Sequence, residues 1–106
     1  MTTADWTQQE QTVAQQAFEY GNSKSVELLI LSLQRMSQSL STVDSVWEMH
    51  DFLSTERHNY EGRSSLDYGN ILFTLAEMLK REWISLDHLD GLDAKKLSKI
   101  KAMSLF

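Results

Sequence analysis

Neither proline nor cysteine occurs in the 106-residue chain. Without cysteine there is no disulfide framework, no thiolate zinc site and no thiol nucleophile, and the composition suits a reducing compartment. Without proline nothing of that kind interrupts a helix, and four glycines, at 21, 62, 69 and 91, are the main backbone punctuation. The longest unbroken aliphatic run, Leu28 to Leu31, is far shorter than the ~20 residues that span a bilayer, so no integral membrane segment is expected. The start, "MTTADWTQQEQ", has neither the basic n-region nor the apolar h-region of a secretory signal, which points to the cytoplasm. What is present, 42% apolar and 24% charged residues, is the composition of one folded domain spanning 1–106.

Positive charge is also scarce in the first half. Residues 1–62 hold three Lys/Arg against nine Asp/Glu, whereas residues 63–106 hold seven against six. Phosphate binding requires a basic face, so a nucleic-acid partner is not expected. In the tail, Lys95, Lys96, Lys99 and Lys101 follow Asp93 without an intervening acid. They read as solvated cations that offset a helix macrodipole, with a partner-facing basic patch as the alternative.

The pattern is all-helical. Thr7 followed by Glu10 fits a capping box that opens a long helix over about 8–39, in which Gly21 costs ~1 kcal/mol relative to alanine and leaves room for a bend. A second helix over 43–61 starts after Ser41 or Thr42 and places Gly62 for a left-handed C-cap. Ser64 or Ser65, with Asp67 in the first turn, opens a third over 66–83; Ser85 caps a short turn ended by Gly91, and Asp93 caps the last helix, completing short C-terminal helices over 86–103.

At 1.5 Å per residue, ~32 helical residues extend ~48 Å, far beyond the ~13 Å radius of gyration of a compact 100-residue domain. Mid-helix, Val26, Leu28, Leu29, Ile30, Leu31 and Leu33 place apolar side chains around most of the circumference. The natural supplier of cover is a second copy of the chain, so a homodimer through Val26, Leu29, Ile30 and Leu33 is expected.

On the second helix, Val46, Met49, Leu53 and Tyr60 group as a core face. Trp47, Asp51, Ser54 and His58 fall on another strip, with His50 and Arg57 at the boundary. Trp and Arg beside an acid match the make-up of binding hot spots, and Trp47 reads as a partner contact. Trp83, in line with Leu72, Ala76 and Leu79, reads as core, together with Leu75. Phe73 projects off that stripe and reads equally as an incidental exposed ring or as part of a contact site. His50, Asp51 and Ser54 offer the residue types of a hydrolase triad, but adjacent helical positions diverge by about 100° and do not make a relay. His50 and His58 lie ~12 Å apart along the axis, too far to share a metal. No catalytic or phosphate-binding motif occurs, and neither enzyme activity nor a cofactor is expected.

The run "VWEMHDFLSTERHNYEGR", the apolar helix "YGNILFTLAEMLKREW" and the end "LSKIKAM" closely resemble the cyanobacterial fluorescence recovery protein family, over nearly the whole chain including Trp6. The distinctive element is W-x-x-H-D with an arginine six residues beyond the aspartate. This resemblance implies an all-helical, non-enzymatic homodimer that binds the light-activated orange carotenoid protein, mainly through that partner's C-terminal domain. It also implies faster return of the red form to the orange form, and release of the photoprotector from the phycobilisome. The family's contact residues map to Trp47, His50, Asp51, Arg57, Phe73 and Lys99, and the implied location is the cytoplasm beside phycobilisomes on the thylakoid. A generic helical dimeric adaptor with a different protein target is the alternative.

Overall fold

Thr7 and Glu10 close the first turn reciprocally: the Glu10 N–H donates to Thr7 Oγ1 and the Thr7 N–H to Glu10 Oε1, each at 3.1 Å. From that cap, α1 runs over Gln8–Gln38 in a computed structural model that describes residues 5–63 and 65–106. Three further α-helices follow, α2 over Val43–Gly62, α3 over Ile71–Lys80 and α4 over Ala94–Ser104, with a 3₁₀ turn at Leu86–Leu89. The fold is all-α with a long N-terminal helix.

Where a single helical domain is expected, the chain divides into two compact units: Met1–Lys24 with Leu66–Phe106, and Ser25–Ser65. Burial explains the division. The apolar core lies wholly in the first unit, whereas the second has Ser25 as its one buried residue among those described. Inside the first unit, Ala14, Ala17 and Phe18 of α1 join Ile71, Leu75, Ala76 and Met78 of α3 in one core cluster, with Trp6, Trp83, Ile84, Leu89, Leu92 and Ile100. These positions recur at helical spacing on each element, which is why one face of each is buried. Gly21 continues α1 without a break; a Cβ there would collide with Met78 Sδ, so this glycine serves close packing.

Three helix ends depart from expectation. The third helix begins at Ile71, not Leu66, because Asp67 Oδ1 accepts the Gly69 N–H at 2.9 Å and the Asn70 N–H turns back to the Asp67 carbonyl at 3.0 Å. Ser64 lies outside the described residues. It ends at Lys80, not Trp83, because the Trp83 N–H returns to the Met78 carbonyl at 2.9 Å and the Glu82 N–H to Leu79 at 3.1 Å, a Schellman closure. Glu82 holds the left-handed position, φ 62°, that glycine commonly takes, so composition gives no cue to this stop. Gly62, by contrast, stays helical and Arg63 is the cap, with φ −105°. The left-handed glycine is Gly91, φ 109°, where a side chain would press on Val13 Cγ2 at 2.9 Å.

Lys96 is the main surprise of the core. Instead of standing solvated with its neighbours it is 4% exposed, and Glu10 is 5% exposed. Its Nζ donates to the Asp5 carbonyl at 2.8 Å, to Glu10 Oε1 and Oε2 at 3.3 and 3.2 Å and to Asp93 Oδ2 at 3.4 Å, and stands 4.9 Å from the centroid of the Trp6 ring. The Asp93 N–H donates to Glu10 Oε2 at 3.0 Å, and Asp93 Oδ1 caps α4 by accepting the Lys96 N–H at 2.8 Å. The Thr7 N–H is the leading cause that holds the Glu10 carboxyl below the usual carboxylate range, and the Asp93 N–H and Lys96 add to it against the opposing effect of burial. Burial pulls the Lys96 ammonium down, but its bonds to Glu10 and then Asp93 outweigh that and raise it.

Because the Glu10 carboxyl is depressed in the folded chain, its stabilising effect is complete above the unfolded glutamate pKa of about 4.3 and is lost as pH falls through the lower folded value. Urea denaturation of wild type and Glu10→Gln should therefore show the variant less stable at pH 7, with the gap closing as the pH is taken below about 4. A pH-independent gap assigns the loss to geometry instead of charge.

Candidate functional site

The contact residues expected from sequence fall into two groups, one in each compact unit. On α2 the register is set by a cap: the Ser45 N–H donates to Thr42 Oγ1 and the Thr42 N–H to Ser45 Oγ, both at 3.1 Å. With that start, Trp47, Asp51, Ser54 and His58 follow at three- and four-residue steps along the helix, with His50 next to Asp51. No residue of α2 is buried. The expected core face of Val46, Met49, Leu53 and Tyr60 is therefore uncovered within its own unit, and Trp47 is 57% exposed.

His50 and Asp51 meet more closely than adjacent helical positions suggest, with Nδ1 3.2 Å from Oδ1, because both side chains are free in solvent to swing toward each other. An exposed pair of this kind offers hydrogen-bonding groups to a partner. Arg57 Nε donates to Glu61 Oε1 at 2.6 Å, one helical turn away, and that bond keeps the guanidinium pKa raised. Its planar head, held at one edge, remains exposed for a carboxylate or carbonyl.

In the other unit, Phe73 on α3 is 60% exposed, and with Lys99 on α4 it lines a shallow groove of about 240 Å³. Leu72, Tyr68 and Met103 supply its apolar wall. An exposed ring, an apolar wall and an ammonium make a surface suited to a partner side chain. Trp83 is 8% exposed and sits under the Arg81 guanidinium, 5.4 Å from the ring centroid, as a core residue should. Ile71 and Met78 also belong to the core, alongside the expected Leu75 and Ala76. His88 is tied more closely than a solvated helix end: its Nδ1 accepts the Ser85 N–H at 2.9 Å and its ring lies 4.1 Å from that of Tyr20.

Val26 and Ile30 of α1 are exposed, Ile30 by half, and Leu29 and Leu33 are half-buried, so none of the four is fully buried inside its unit. Sequence reasoning missed Lys96. The available signal was its position on the apolar spacing Leu92, Ile100, Met103, where a solvated lysine does not belong. Among the described residues no group of three His, Asp or Glu side chains is placed to hold a metal, and no helix is long and apolar enough to cross a membrane.

These exposures set a stability contrast. Trp47→Ala and Phe73→Ala should each shift the urea-derived stability by no more than about 0.5 kcal/mol, as surface changes do, whereas Trp83→Ala should cost about 3–5 kcal/mol. A loss of core size at Trp47 or Phe73 would assign that residue to structure.

Comparison with known proteins agrees with the all-helical architecture. Residues 6–104 match the model of the family described as photoprotection regulator fluorescence recovery protein. The chain is 32% identical over 101 residues to the fluorescence recovery protein of Synechocystis sp. PCC 6803, covering 95% of this chain and 93% of that protein. The solved fluorescence recovery protein of Fremyella diplosiphon superposes with a TM-score of 0.84 at 35% identity, and that of Synechocystis with 0.83 at 31%; each comparison covers 95% of this chain and 99% of the other. Family match, identity and fold thus coincide over nearly the whole length, and the chain belongs to the fluorescence recovery protein family, a family of photoprotection regulators.

Proposed function

We propose that this chain binds the light-activated orange carotenoid protein, mainly its C-terminal domain, speeds its red-to-orange reversion and promotes its detachment from the phycobilisome, restoring antenna fluorescence. The observation that carries this reading is Trp47, largely exposed on a helix with no buried residue and followed by His50, Asp51 and Arg57. A large aromatic with an arginine at an uncovered surface is hot-spot chemistry. Phe73 and Lys99 form a second contact area. The working form is a homodimer through Val26, Leu29, Ile30 and Leu33, an apolar set with Val26 and Ile30 exposed and Leu29 and Leu33 half-buried, which supports such pairing. The site of action is the cytoplasm at the phycobilisome-bearing face of the thylakoid.

Binding suffices for this work. A protein that prefers one state of a switch shifts its population, and one that binds the transition state tighter than either end state speeds the conversion. The chromophore is the partner's, and the regulator requires no cofactor of its own.

Mixing with photoactivated carotenoid protein and following the red-to-orange colour change in darkness tests this reading directly. Trp47→Ala and Arg57→Leu should each weaken binding by about 30-fold, the equivalent of ~2 kcal/mol, while helicity and dimerisation stay close to wild type. Raising ionic strength should weaken the Arg57 contact and leave that of Trp47 intact. A wild-type protein that leaves the colour change untouched but remains a folded dimer serves another target.

Ile30→Glu places a charge in the proposed dimer contact, and sedimentation should show monomers at micromolar concentration. A persistent dimer moves the contact elsewhere on the chain.

A further inference from the structure

We propose that Lys96 and Glu10 are positioning residues for the Phe73–Lys99 contact area, their buried ion pair setting the rotation of α4 about its own axis. The inference rests on the reading above for the role of that area. Phe73 lies in the first turn of α3 and Lys99 midway along α4, so whether they share one groove depends on how α4 is turned against α3.

Apolar packing sets that angle weakly. The helix has 11 residues, short of what is stable alone, and within it Ile100 is the fully buried apolar side chain, with Leu97 and Met103 partly buried. Hydrophobic contact is non-directional. Hydrogen bonds are directional, and at the start of α4 they converge on one point: Lys96 Nζ on Glu10 and the Asp5 carbonyl, the Asp93 N–H on Glu10, and the Lys96 N–H on Asp93. Glu10 is in turn held by the α1 cap through the Thr7 N–H. Lys96 and Lys99, three residues apart, are separated by about 60° around the axis and about 4.5 Å along it. Drawing Lys96 inward to Glu10 therefore commits Lys99 to the groove, and a turn of that size would bring Lys99 toward the core in its place. An apolar pair of similar volume commonly stabilises a core as well as a buried ion pair does, which leaves directional specification as what the charges add.

The test has one arm that needs no partner. Lys96→Met combined with Glu10→Gln keeps approximate volume and removes the ion pair. Nuclear Overhauser contacts between the Phe73 ring and the Met103 methyl, with the amide shifts of residues 97–103, should change in this variant while helicity by circular dichroism stays near wild type. An unchanged contact and shift pattern overturns the inference. If the double variant does not fold, Glu10→Gln alone, which keeps one of the two oxygens and so an acceptor for either the Thr7 or the Asp93 N–H, is read by the same criterion.

The second arm is a binding cycle with photoactivated carotenoid protein. Lys99→Ala should weaken binding about tenfold in the wild-type background and by less than about twofold when Lys96→Met is already present. Equal factors in the two backgrounds overturn positioning. A wild-type protein that fails to bind overturns the proposed function, and the partner-free arm still decides the positioning role.

Discussion

A carboxylate and an ammonium 86 residues apart in sequence, each almost sealed from water, hold the N-terminus of α1 and the start of α4 together. Much of the first compact unit depends on that junction. Glu10 belongs to three local structures at once: it completes the cap of α1, accepts the backbone N–H of the α4 cap residue and neutralises Lys96. Trp6 joins the same assembly, with Lys96 over its ring and Tyr68 edge-on at 5.2 Å, so the first described residues are anchored instead of frayed. Burying two charges has a large desolvation cost, offset only when the remaining lone pairs and protons find partners, as both do here.

The second unit rests on a different principle. Its α2 has a well-formed cap and an i,i+4 ion pair, which specify a helix locally, yet it buries none of its own side chains. Tryptophan, valine and leucine left uncovered on such a helix are an unsatisfied hydrophobic demand. The two units differ accordingly: one builds a core, and the other leaves apolar side chains of α2 at its surface. This is the arrangement expected of a regulator that works by contact.

Features governed by neighbours in sequence were readable in advance. The Thr7–Glu10 box, the Asp93 cap, the core place of Trp83 and the helical pattern itself depend on spacings of a few residues. Gly62 was misread because a glycine near a helix end is compatible with the left-handed cap without requiring it, and the start of the third helix because Asp67 bonds its own backbone when a helix is equally open to it. Its end was hidden by a glutamate in a glycine's conformation. Lys96 was hidden for a deeper reason: its partner belongs to the far end of the chain, and four lysines in a tail look alike until the fold separates one from the rest. Sequence located Trp47 and Phe73 off the core stripes, where both are exposed, but the absence of any buried residue on α2 is a property of tertiary structure alone.

The core-bearing unit is discontinuous, made from the chain up to Lys24 and the chain from Leu66 onward, with the other unit spliced between them. Contacts of such sequence separation form late, because the intervening loop must close before they contribute. During synthesis at about 5–20 residues per second, the stretch from Leu66 to the end takes roughly 2–8 s to emerge. For that interval Phe18 and the rest of the α1 core face have nothing to pack against, while α2, capped by its own neighbours, has all it needs to form. The helix that carries Trp47 is thus specified before the core, which waits for α4 to bring Lys96 to Glu10.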